Sequence, residues 1–320
     1  MSEVPDLSII VVNWNGKELL SACLPSLVSD NDKVNVQVIV VDNGSEDGSV
    51  SWCRENYNSI EIVALPKNIG FSGANNEGIK YVKGKYVMLL NNDTIVQNNA
   101  LEILVEYMNS HPEVAGCGPT LLNEDMSLQR SVRKFPTLWT EFCQESGLSF
   151  LFPRSHIFAD YYMGYWDHNE TKKVDLVIGA ALLIRKEVLD NVGLLDDKNF
   201  FMFYEEVDWF LRFKNKGYVF VYLEGPKIIH VGGGTSSQQS KQSRYNLLHS
   251  RYNYHSKHHG KISAIFLFLI HMLFSIIYAI LFGFFSAFNI NKTKSDIKYN
   301  HYMNTLKYHK DKFLKSKAVI

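Results

Sequence analysis

The feature that most constrains this chain is an alternation of short apolar runs with helical patterns through its first third. Each apolar run is nearly continuous and rich in Val, Ile and Leu, which is typical of strands covered by helices on both faces. The predicted strands are Leu7–Asn13, Val36–Asp42, Ile60–Leu65 and Tyr86–Leu90. The predicted helices are Lys17–Ser29, Ser49–Tyr57, Ser72–Lys83 and Asn98–Asn109. This order predicts an α/β fold, a Rossmann-like and mainly parallel sheet with right-handed crossovers.

Polar and acidic residues stand where these strands end. The ends are Asn13-Trp14-Asn15-Gly16, Asp42-Asn43-Gly44-Ser45 and Asn91-Asn92-Asp93. Open α/β sheets bind ligands beyond the carboxyl ends of their strands. A carboxylate there can accept hydrogen bonds from a ribose or base, or bind a hard cation that bridges phosphate oxygens. Asp and Asn also simply start turns, but two acidic motifs after two strands of one sheet favour a ligand site.

A third acidic group lies in the aromatic segment Phe200–Arg212, where a helix is predicted over Glu206–Lys216. Acids at a helix start can simply stabilise the positive end of its dipole. A carboxylate beside Phe and Trp side chains is also partly desolvated, which raises its pKa and makes it a better general base. We favour the second interpretation for the acids of this segment, which are Glu205, Glu206 and Asp208.

His230 precedes a run of glycines at Gly232–Gly234. Glycines let the backbone approach a ligand closely, and a His at that point can bind a metal or contact a diphosphate. A purely structural role for this His stays open.

Residues 124–173 are rich in aromatic side chains and show weak periodicity. They predict an irregular insertion within a first domain of residues 1–245, and two interpretations stay open. The insertion is either a lid or acceptor-side loop, or a loosely packed surface segment. Strand-like patterns return at Val174–Ile184 and Tyr218–Leu223.

The stretch Ile262–Ile290 is 29 residues long and contains no acid, Lys or Arg. Since a spanning helix needs about 20 such residues, residues 246–320 are predicted to be a membrane-associated helical segment with a basic tail. Three modes stay open, which are one tilted span, a re-entrant hairpin bending near Gly283, and a shallow interfacial helix. The Lys residues on both flanks are suited to the surface of an anionic leaflet. A buried helix of a soluble oligomer is the alternative.

The formal net charge of zero hides an asymmetry. From Lys241 onward the chain carries 13 Lys or Arg against 2 acids, a net of +11, so residues 1–240 carry −11. An acidic larger part is not suited to a polyanion, so no nucleic-acid partner is expected. The four cysteines form no CxxC pair, and residues 1–12 lack the pattern of a signal peptide. Both features predict that the larger part stays in the cytosol.

Taken together, these motifs resemble a family 2 glycosyltransferase of the rhamnosyltransferase-like branch, which serves bacterial cell-surface polysaccharide synthesis. The resemblance covers roughly residues 6–240. The matching segments are SIIVVNWNG at Ser8–Gly16, VVDNGSEDGS at Val40–Ser49, NIGFSGANNEGI at Asn68–Ile79, LLNNDT at Leu89–Thr94, the long segment Gly179–Arg212, and HVGGGTS at His230–Ser236.

This resemblance implies a GT-A fold, an inverting mechanism, a nucleotide-sugar donor and a Mg²⁺ or Mn²⁺ cofactor. Asp42 would contact the nucleoside, Asp93 would bind the metal, and His230 would face the metal or diphosphate. Glu206 matches the catalytic base, with Asp208 as the alternative. Asn91 stands where the family's metal motif has its first acid. Further donor contacts implied by the matching motifs are Asn13, Asn43, Asn68, Gly70, Asn75, Asn91 and Asn92.

The sequence therefore predicts transfer of a sugar from dTDP-rhamnose or a UDP-hexose to a lipid-linked or other glycan acceptor, at the cytoplasmic face of the membrane. The acids at 42, 93 and 206 are expected to converge around one cleft. A sugar-nucleotide nucleotidyltransferase is one alternative, although the turn Asn13–Glu18 lacks the basic, glycine-rich loop that a triphosphate requires. A membrane-tethered scaffold with a decayed site is the other.

Overall fold

The structure is a computed structural model that describes residues 4–28, 33–232 and 241–317. The chain divides into two compact units. The sheet unit consists of Met1–Phe135 and Trp166–Thr235, and the helical unit consists of Pro136–Tyr165 and Ser236–Ile320. The aromatic segment 124–173 therefore contributes residues to both units.

Strands and helices alternate in the order that the apolar runs predict. The strands are β1 Leu7–Asn13, β2 Val36–Asp42, β3 Glu61–Ala64, β4 Tyr86–Asn91, β5 Thr94–Val96, β6 Val114–Leu122, β7 Leu128–Gln129, β8 Val132–Arg133, β9 Lys172–Val174, β10 Leu176–Val177, β11 Ala181–Arg185 and β12 Val219–His230. The helices are α1 Lys17–Cys23, α2 Pro25–Val28, α3 Ser49–Asn56, α4 Gly70–Ile79, α5 Ala100–Ser110, α6 Leu138–Glu145, α7 Leu148–Leu151, α8 Lys186–Val192, α9 Glu205–Asn215, α10 Lys241–Ala287 and α11 Lys292–Lys317.

The sheet unit is built on one mixed sheet with the strand order β3-β2-β1-β4-β11-β6-β12-β5. β1 runs parallel to β2 and β4, β2 runs parallel to β3, and β6 runs parallel to β12. In this register Asn13 lies opposite Asp42, and Val12 lies opposite Asn91. Because the strands are parallel and in step, their polar ends meet at one edge. The predicted fold, a mainly parallel mixed sheet with helices, is confirmed.

The core of the sheet unit explains the continuous apolar runs. Leu7, Ile9 and Ile10 of β1 are fully buried, as strands between two helical layers require. Arg185, also buried, donates from Nε to the carbonyl of Val114 at 2.7 Å and so satisfies polar groups at the rim of this core.

Three segments differ from the sequence pattern. The predicted helix 17–29 is two helices, because Pro25 lacks the N–H that would continue α1; Ser29 lies outside the described residues. The predicted strand 174–184 is the end of β9 followed by β10 and β11. Residues 124–173 contain β7, β8, α6, α7 and part of β9, so this segment is more regular than its composition indicates.

The helical unit consists of α6, α7, α10 and α11. α10 is two helical segments joined at Gly260, whose φ of 83° and ψ of 164° are not helical. Residues Asn289 and Asn291 have positive φ angles of 57° and 46° and lie in the turn from α10 to α11. The small apolar core of the unit contains Leu248, Tyr252, Leu267 and Tyr308. By length and composition, α10 is able to cross a membrane.

Candidate functional site

Buried polar groups join the ends of β1, β2 and β4. Asn13 donates from Nδ2 to Asp42 Oδ2 at 3.1 Å, and its Oδ1 accepts from Asn92 Nδ2 at 2.8 Å. The other carboxylate oxygen of Asp42 accepts the backbone N–H of Ser45 at 2.9 Å. These bonds fix the carboxylate of Asp42 at the edge where ligands bind to an open α/β sheet.

A second network fixes the turn that begins α4. Asn43 donates from Nδ2 to Asn68 Oδ1 at 3.0 Å and to the carbonyl of Gly70 at 3.1 Å. Its Oδ1 accepts the backbone N–H of Ile69 at 2.8 Å. Asn75, one turn further along α4, donates to the carbonyl of Phe71 at 2.9 Å. The amides of this turn are therefore held rigidly beside Asp42.

The same turn contacts the segment that precedes α9. Gly70 has φ +88°, and a Cβ at this position would come 2.4 Å from the backbone oxygen of Phe201. That oxygen also accepts the N–H of Phe71 at 2.8 Å. Only glycine permits both this φ and this close approach. The contact links the α4 turn to the chain that carries Glu206.

His230 at the end of β12 lies against the turn after β4. His230 pairs with Thr94 in the antiparallel ladder of β12 with β5, and Val231 N–H donates to the carbonyl of Asp93 at 2.9 Å. The Nε2 atom of His230 lies 3.3 Å from Asp93 Oδ1 and 3.3 Å from Asn91 Nδ2. Two residues 137 positions apart are therefore in direct contact.

Gln129 in β7 sets the tautomer of His230. Gln129 donates from Nε2 to the carbonyl of His230 and to Asn123 Oδ1, each at 3.0 Å. Its Oε1 is then an acceptor, and it lies 2.6 Å from His230 Nδ1. The hydrogen-bond network thus assigns the proton to Nδ1 and leaves a lone pair on Nε2. Gln129 could not be predicted from the sequence, because a two-residue strand gives no periodic signal.

The donor set at this turn fits a divalent cation. A carboxylate oxygen and an imidazole lone pair face each other at 3.3 Å, and both are electron donors. Oxygen and imidazole nitrogen are ligands that Mn²⁺ and related cations accept. Asn91 Nδ2 lies 3.3 Å from the same nitrogen, so a cation bound there would take the place of this amide contact. The residues present are therefore able to hold such an ion between Asp93 and His230.

Glu205 and Glu206 begin α9 after an unusual stretch of backbone. Phe203 and Tyr204 have φ angles of 68° and 64°, and left-handed backbone costs a non-glycine residue about 1–2 kcal/mol. Strain of this kind concentrates at functional sites. In the described structure the Oε2 atoms of both glutamates are buried and lack a hydrogen-bond partner.

Burial raises the pKa of both carboxyl groups. The pKa of Glu205 lies well above its usual value, because the group is desolvated and because the charge of Glu206 lies next to it. Burial also raises the pKa of Glu206, while the positive charge of Arg133 opposes the increase. Both carboxyl groups are therefore harder to ionise than an exposed glutamate, and their proximity disfavours two charges at once.

Gly179 and Ala180 connect Glu206 to the turn after β4. A Cβ at Gly179 would lie 3.9 Å from the Cβ of Glu206 and 3.9 Å from the Phe71 ring. The carbonyl of Ala180 accepts the N–H of Asn91 at 2.9 Å. Gly179 therefore lies near Glu206, and the next residue, Ala180, bonds to the last residue of β4.

Asp208 has a different environment from Glu206. It is fully buried, and its Oδ2 accepts from Arg212 Nε at 2.9 Å. Arg212 also donates to the carbonyls of Val192 and Leu194, at 3.3 Å and 2.7 Å. This ion pair ties α9 to the end of α8, which is a structural function.

The structure thus brings part of the predicted site together at one edge of the sheet, while Glu206 and Asp208 lie in α9. Asp42 contacts Asn13, which contacts Asn92, and Asp93 contacts His230. The predicted glycine run is described only as far as Gly232; residues 233–236 lie outside the described part of the chain.

A second acidic cluster lies in the helical unit. Ligand atoms of Glu141, Glu145 and His271 lie within 4.8 Å of one another. Arg251 forms ion pairs with both glutamates, the pair with Glu145 having a distance of 2.8 Å. A guanidinium already neutralises these carboxylates, so this cluster does not fit a metal ion.

Comparison with known proteins agrees with this geometry. Residues 8–193 match the family described as Glycosyl transferase family 2. An N-acetylglucosaminyl-diphospho-decaprenol L-rhamnosyltransferase of Mycobacterium tuberculosis is 24% identical over 235 residues, which cover 70% of this chain and 75% of that protein. The low-salt glycan biosynthesis hexosyltransferase Agl10 of Haloferax volcanii is 28% identical over 65% of this chain and 61% of its own length.

A solved structure shares the fold. The crystal structure of GalNAc-T7 with UDP, GalNAc and Mn²⁺ matches with a TM-score of 0.57 at 15% identity, over 80% of this chain and 51% of that one. At this identity the likeness concerns the fold alone.

Proposed function

We propose that this chain, which belongs to glycosyl transferase family 2, transfers a sugar from a nucleoside diphosphate to a hydroxyl group of a lipid-linked glycan, with inversion at the anomeric carbon. The observation that carries the proposal is the contact of Asp93 with His230 at the ends of β4 and β12, and the desolvated Glu206 at the start of α9 supports it. The names of the bacterial and archaeal relatives, a rhamnosyltransferase and a hexosyltransferase, support the reaction class.

The nucleoside end of the donor is proposed to bind beside Asp42. Its carboxylate is fixed by Asn13 and Ser45, and a fixed acceptor at a strand end is suited to the hydroxyls of a ribose or the edge of a base. The turn held by Asn43 and Asn68 lies next to it, and Gly70 in this turn packs closely against Phe201. dTDP-rhamnose and UDP-hexoses are the donors that we propose.

Asp93 Oδ1 and His230 Nε2 are proposed to hold a Mg²⁺ or Mn²⁺ ion, with Asn91 and Asn92 beside it. When bound, such an ion offsets the negative charge that grows on the departing diphosphate. Gln129 keeps the Nε2 lone pair of His230 directed at this position.

Glu206 is proposed to act as the general base. Its carboxylate accepts the proton of the acceptor hydroxyl while that oxygen bonds to the anomeric carbon. The bond from the anomeric carbon to the diphosphate oxygen breaks on the opposite face, which gives inversion. Glu205, whose pKa is raised well above its usual value by burial and by the charge of Glu206, is proposed to hold the proton of the pair.

A lipid-linked acceptor and the cytoplasmic face of the cell membrane are proposed as the setting. One relative carries a decaprenol diphosphate in its name, and α10 of this chain is long and apolar enough to associate with a bilayer. An enzyme bound to the membrane and an acceptor anchored in the same membrane are confined together, which raises their effective concentration.

The proposal is tested by a thermal-shift screen of the full-length protein against nucleotide sugars with Mn²⁺, followed by a transfer assay on membranes. The true donor is expected to raise the melting temperature, because ligand that binds only the folded state stabilises it. Failure of every nucleotide sugar to shift the melting temperature, together with no product on membranes, would refute the reaction.

Replacement of Asp93 by Ala is expected to abolish metal-dependent donor binding, because it removes the carboxylate that lies 3.3 Å from His230 Nε2. Isothermal titration with donor and Mn²⁺ measures this. The exposed Asp190 in α8 offers a matched control, and Asp190→Ala is expected to bind normally. Unchanged titration of Asp93→Ala would remove Asp93 from the metal site.

Replacement of Gln129 by Leu is expected to weaken Mn²⁺ affinity about 10–100-fold, as is usual when the partner of a metal-binding His is lost. Gln129→Glu keeps an acceptor for the Nδ1 proton of His230, so it is expected to weaken binding far less. Electron paramagnetic resonance of free Mn²⁺ measures both. Equal losses in the two variants would show that the tautomer is not what Gln129 controls.

A further inference from the structure

The second segment of α10, residues 261–287, has the reverse of the polarity found in helices of soluble proteins. Its inward face repeats at every fourth residue and consists mostly of small or polar side chains. The buried residues of this face are Ser263, Leu267, His271, Ser275 and Ala279. The opposite face and the turn after it are apolar and exposed, namely Ile262, Ile265, Phe266, Leu269, Leu273, Ile276, Ile277, Ile280, Leu281, Phe284, Phe288 and Ile290.

Hydrogen bonds inside the helical unit satisfy several groups of the inward face. His255 Nδ1 lies 2.9 Å from Ser263 Oγ. The hydroxyl of Tyr252 lies 2.6 Å from His271 Nδ1 and 2.6 Å from His309 Nε2. The polar side of this helix therefore faces protein, and the apolar side remains without cover in the described structure. An exposed apolar stripe about 40 Å long, at 1.5 Å per residue, far exceeds the patches of ordinary soluble surfaces.

α11 lies alongside this segment for most of its length. Near one end Ser286 donates to Asp296, in the middle the rings of Tyr278 and Tyr302 are 5.0 Å apart, and toward the other end the ring of Phe268 is 5.0 Å from His309. The exposed residues of α11 include Lys292, Lys294, Lys298, Lys307 and Lys310.

This packing excludes a simple span. If residues 261–287 crossed the bilayer, α11 would enter the hydrocarbon beside them, together with its exposed lysines. Lys298 and Lys307 lie along the packed length and not at its ends, and a lysine near the centre of a membrane is strongly unfavourable. An orientation in the membrane plane avoids this, because the apolar face contacts acyl chains while α11 stays on the aqueous side.

A second apolar segment of the same unit lies beside α10. Tyr278 donates to the carbonyl of Ser146 at 3.0 Å, and the rings of Phe142 and Phe274 are 5.5 Å apart. The residues that follow are strongly exposed for their type, at 85% for Phe150 and 66% for Leu151. Exposed Phe and Leu side chains are typical of segments that insert into a membrane interface.

We infer that the exposed apolar face of residues 261–290 forms a monotopic surface that inserts into a single leaflet of an anionic lipid bilayer, with the helix axis parallel to the membrane. Charge complementarity selects this occupant: Lys257 and Lys261 precede the stripe, Lys292 and Lys294 follow it, and residues 241–320 contain only two acids. The inference rests on the proposed membrane location and is independent of the proposed reaction.

Binding is tested with full-length protein diluted from detergent onto vesicles of phosphatidylcholine with or without phosphatidylglycerol, followed by flotation. The protein is expected to float with the anionic vesicles and to bind neutral ones at least tenfold more weakly. Phe266→Glu and Leu273→Glu are expected to reduce binding by tenfold or more. Ile103→Glu is the matched control on an exposed apolar residue of the sheet unit, and is expected to bind normally.

Orientation is tested with nitroxide labels on Phe266→Cys, Leu273→Cys and Phe284→Cys, since the four native cysteines are buried. Equal, shallow immersion depths at the three positions support the inference. A deep label at 273 between shallow labels at 266 and 284 would show a span and overturn it. If the native protein does not bind vesicles but forms dimers, and the Glu variants disrupt those dimers, the stripe is an interface with a second copy of the chain and the inference is wrong. The thermal shift with donor reports the proposed reaction separately.

Discussion

Replacing Glu206 by Gln is expected to lower turnover by about 10²–10⁴-fold, the range that general-base catalysis supplies, while the dissociation constant of the donor stays nearly unchanged. The substitution removes the proton acceptor and preserves the shape of the side chain. Steady-state transfer kinetics on membranes give the loss in kcat, and calorimetric titration with donor and Mn²⁺ gives the affinity.

The pH dependence follows from the direction of the pKa. Burial raises the pKa of Glu206 above the usual value for a carboxylic acid. A base acts only when deprotonated, so kcat/KM is expected to rise with pH as Glu206 ionises, and the midpoint should lie above that of an exposed glutamate. Glu206→Gln is expected to abolish this acidic limb of the profile.

Two neighbouring acids provide controls. Burial and the charge of Glu206 raise the pKa of Glu205 well above its usual value, which favours its neutral form, so Glu205→Gln is expected to retain most of the activity. Asp208 is paired with Arg212, so Asp208→Asn is expected to lower stability more than kcat. Near-normal turnover of Glu206→Gln, together with a large loss in either control, would move the base to that residue.

Local patterns predicted the sheet and the acids at its edge. β1, β2 and β4 are continuous apolar runs, and the parallel register brings Asn13 opposite Asp42. Once strands are known to be parallel, residues at their ends must meet, which makes the Asp42 edge predictable from sequence. Among the acids at 205, 206 and 208, the resemblance implies Glu206 as the base with Asp208 as the alternative, and the burial of Glu205 and Asp208, which bears on this choice, is set by packing between distant segments.

Contacts between distant segments explain what the sequence could not predict. Gln129 lies 101 positions from His230, and its role depends on a two-residue strand. Hydropathy identified the stretch 262–290 but treats all faces of a helix alike. The inverted polarity depends on which face is buried: His271 and Ser275 pack against neighbouring helices, and a hydropathy profile contains no such information.

Arg251 also depends on partners that are distant in sequence, and its loss is expected to destabilise the helical unit strongly. Arg251 is 5% exposed and forms ion pairs with Glu141 and Glu145 of α6. Burial alone would raise the pKa of Glu141, but the charge of Arg251 more than offsets it and holds that pKa well below its usual range. Removing one partner of a buried ion pair typically costs about 3–5 kcal/mol, because an uncompensated charge remains.

Arg251→Met is therefore expected to lower the stability of the helical unit by about 3–5 kcal/mol at neutral pH, measured as faster amide hydrogen exchange in α6 and α10 relative to the sheet unit. Without the positive charge of Arg251, burial disfavours the ionised forms of Glu141 and Glu145, so their pKa values are expected to rise in the variant. Protonation at lower pH then relieves the penalty, and the difference from the native protein should shrink as pH falls. Adding Glu141→Gln and Glu145→Gln to Arg251→Met removes the unpaired charges and is expected to restore part of the protection. A loss that is independent of pH and is not restored by the glutamines would mean that Arg251 acts through packing and not through its charge.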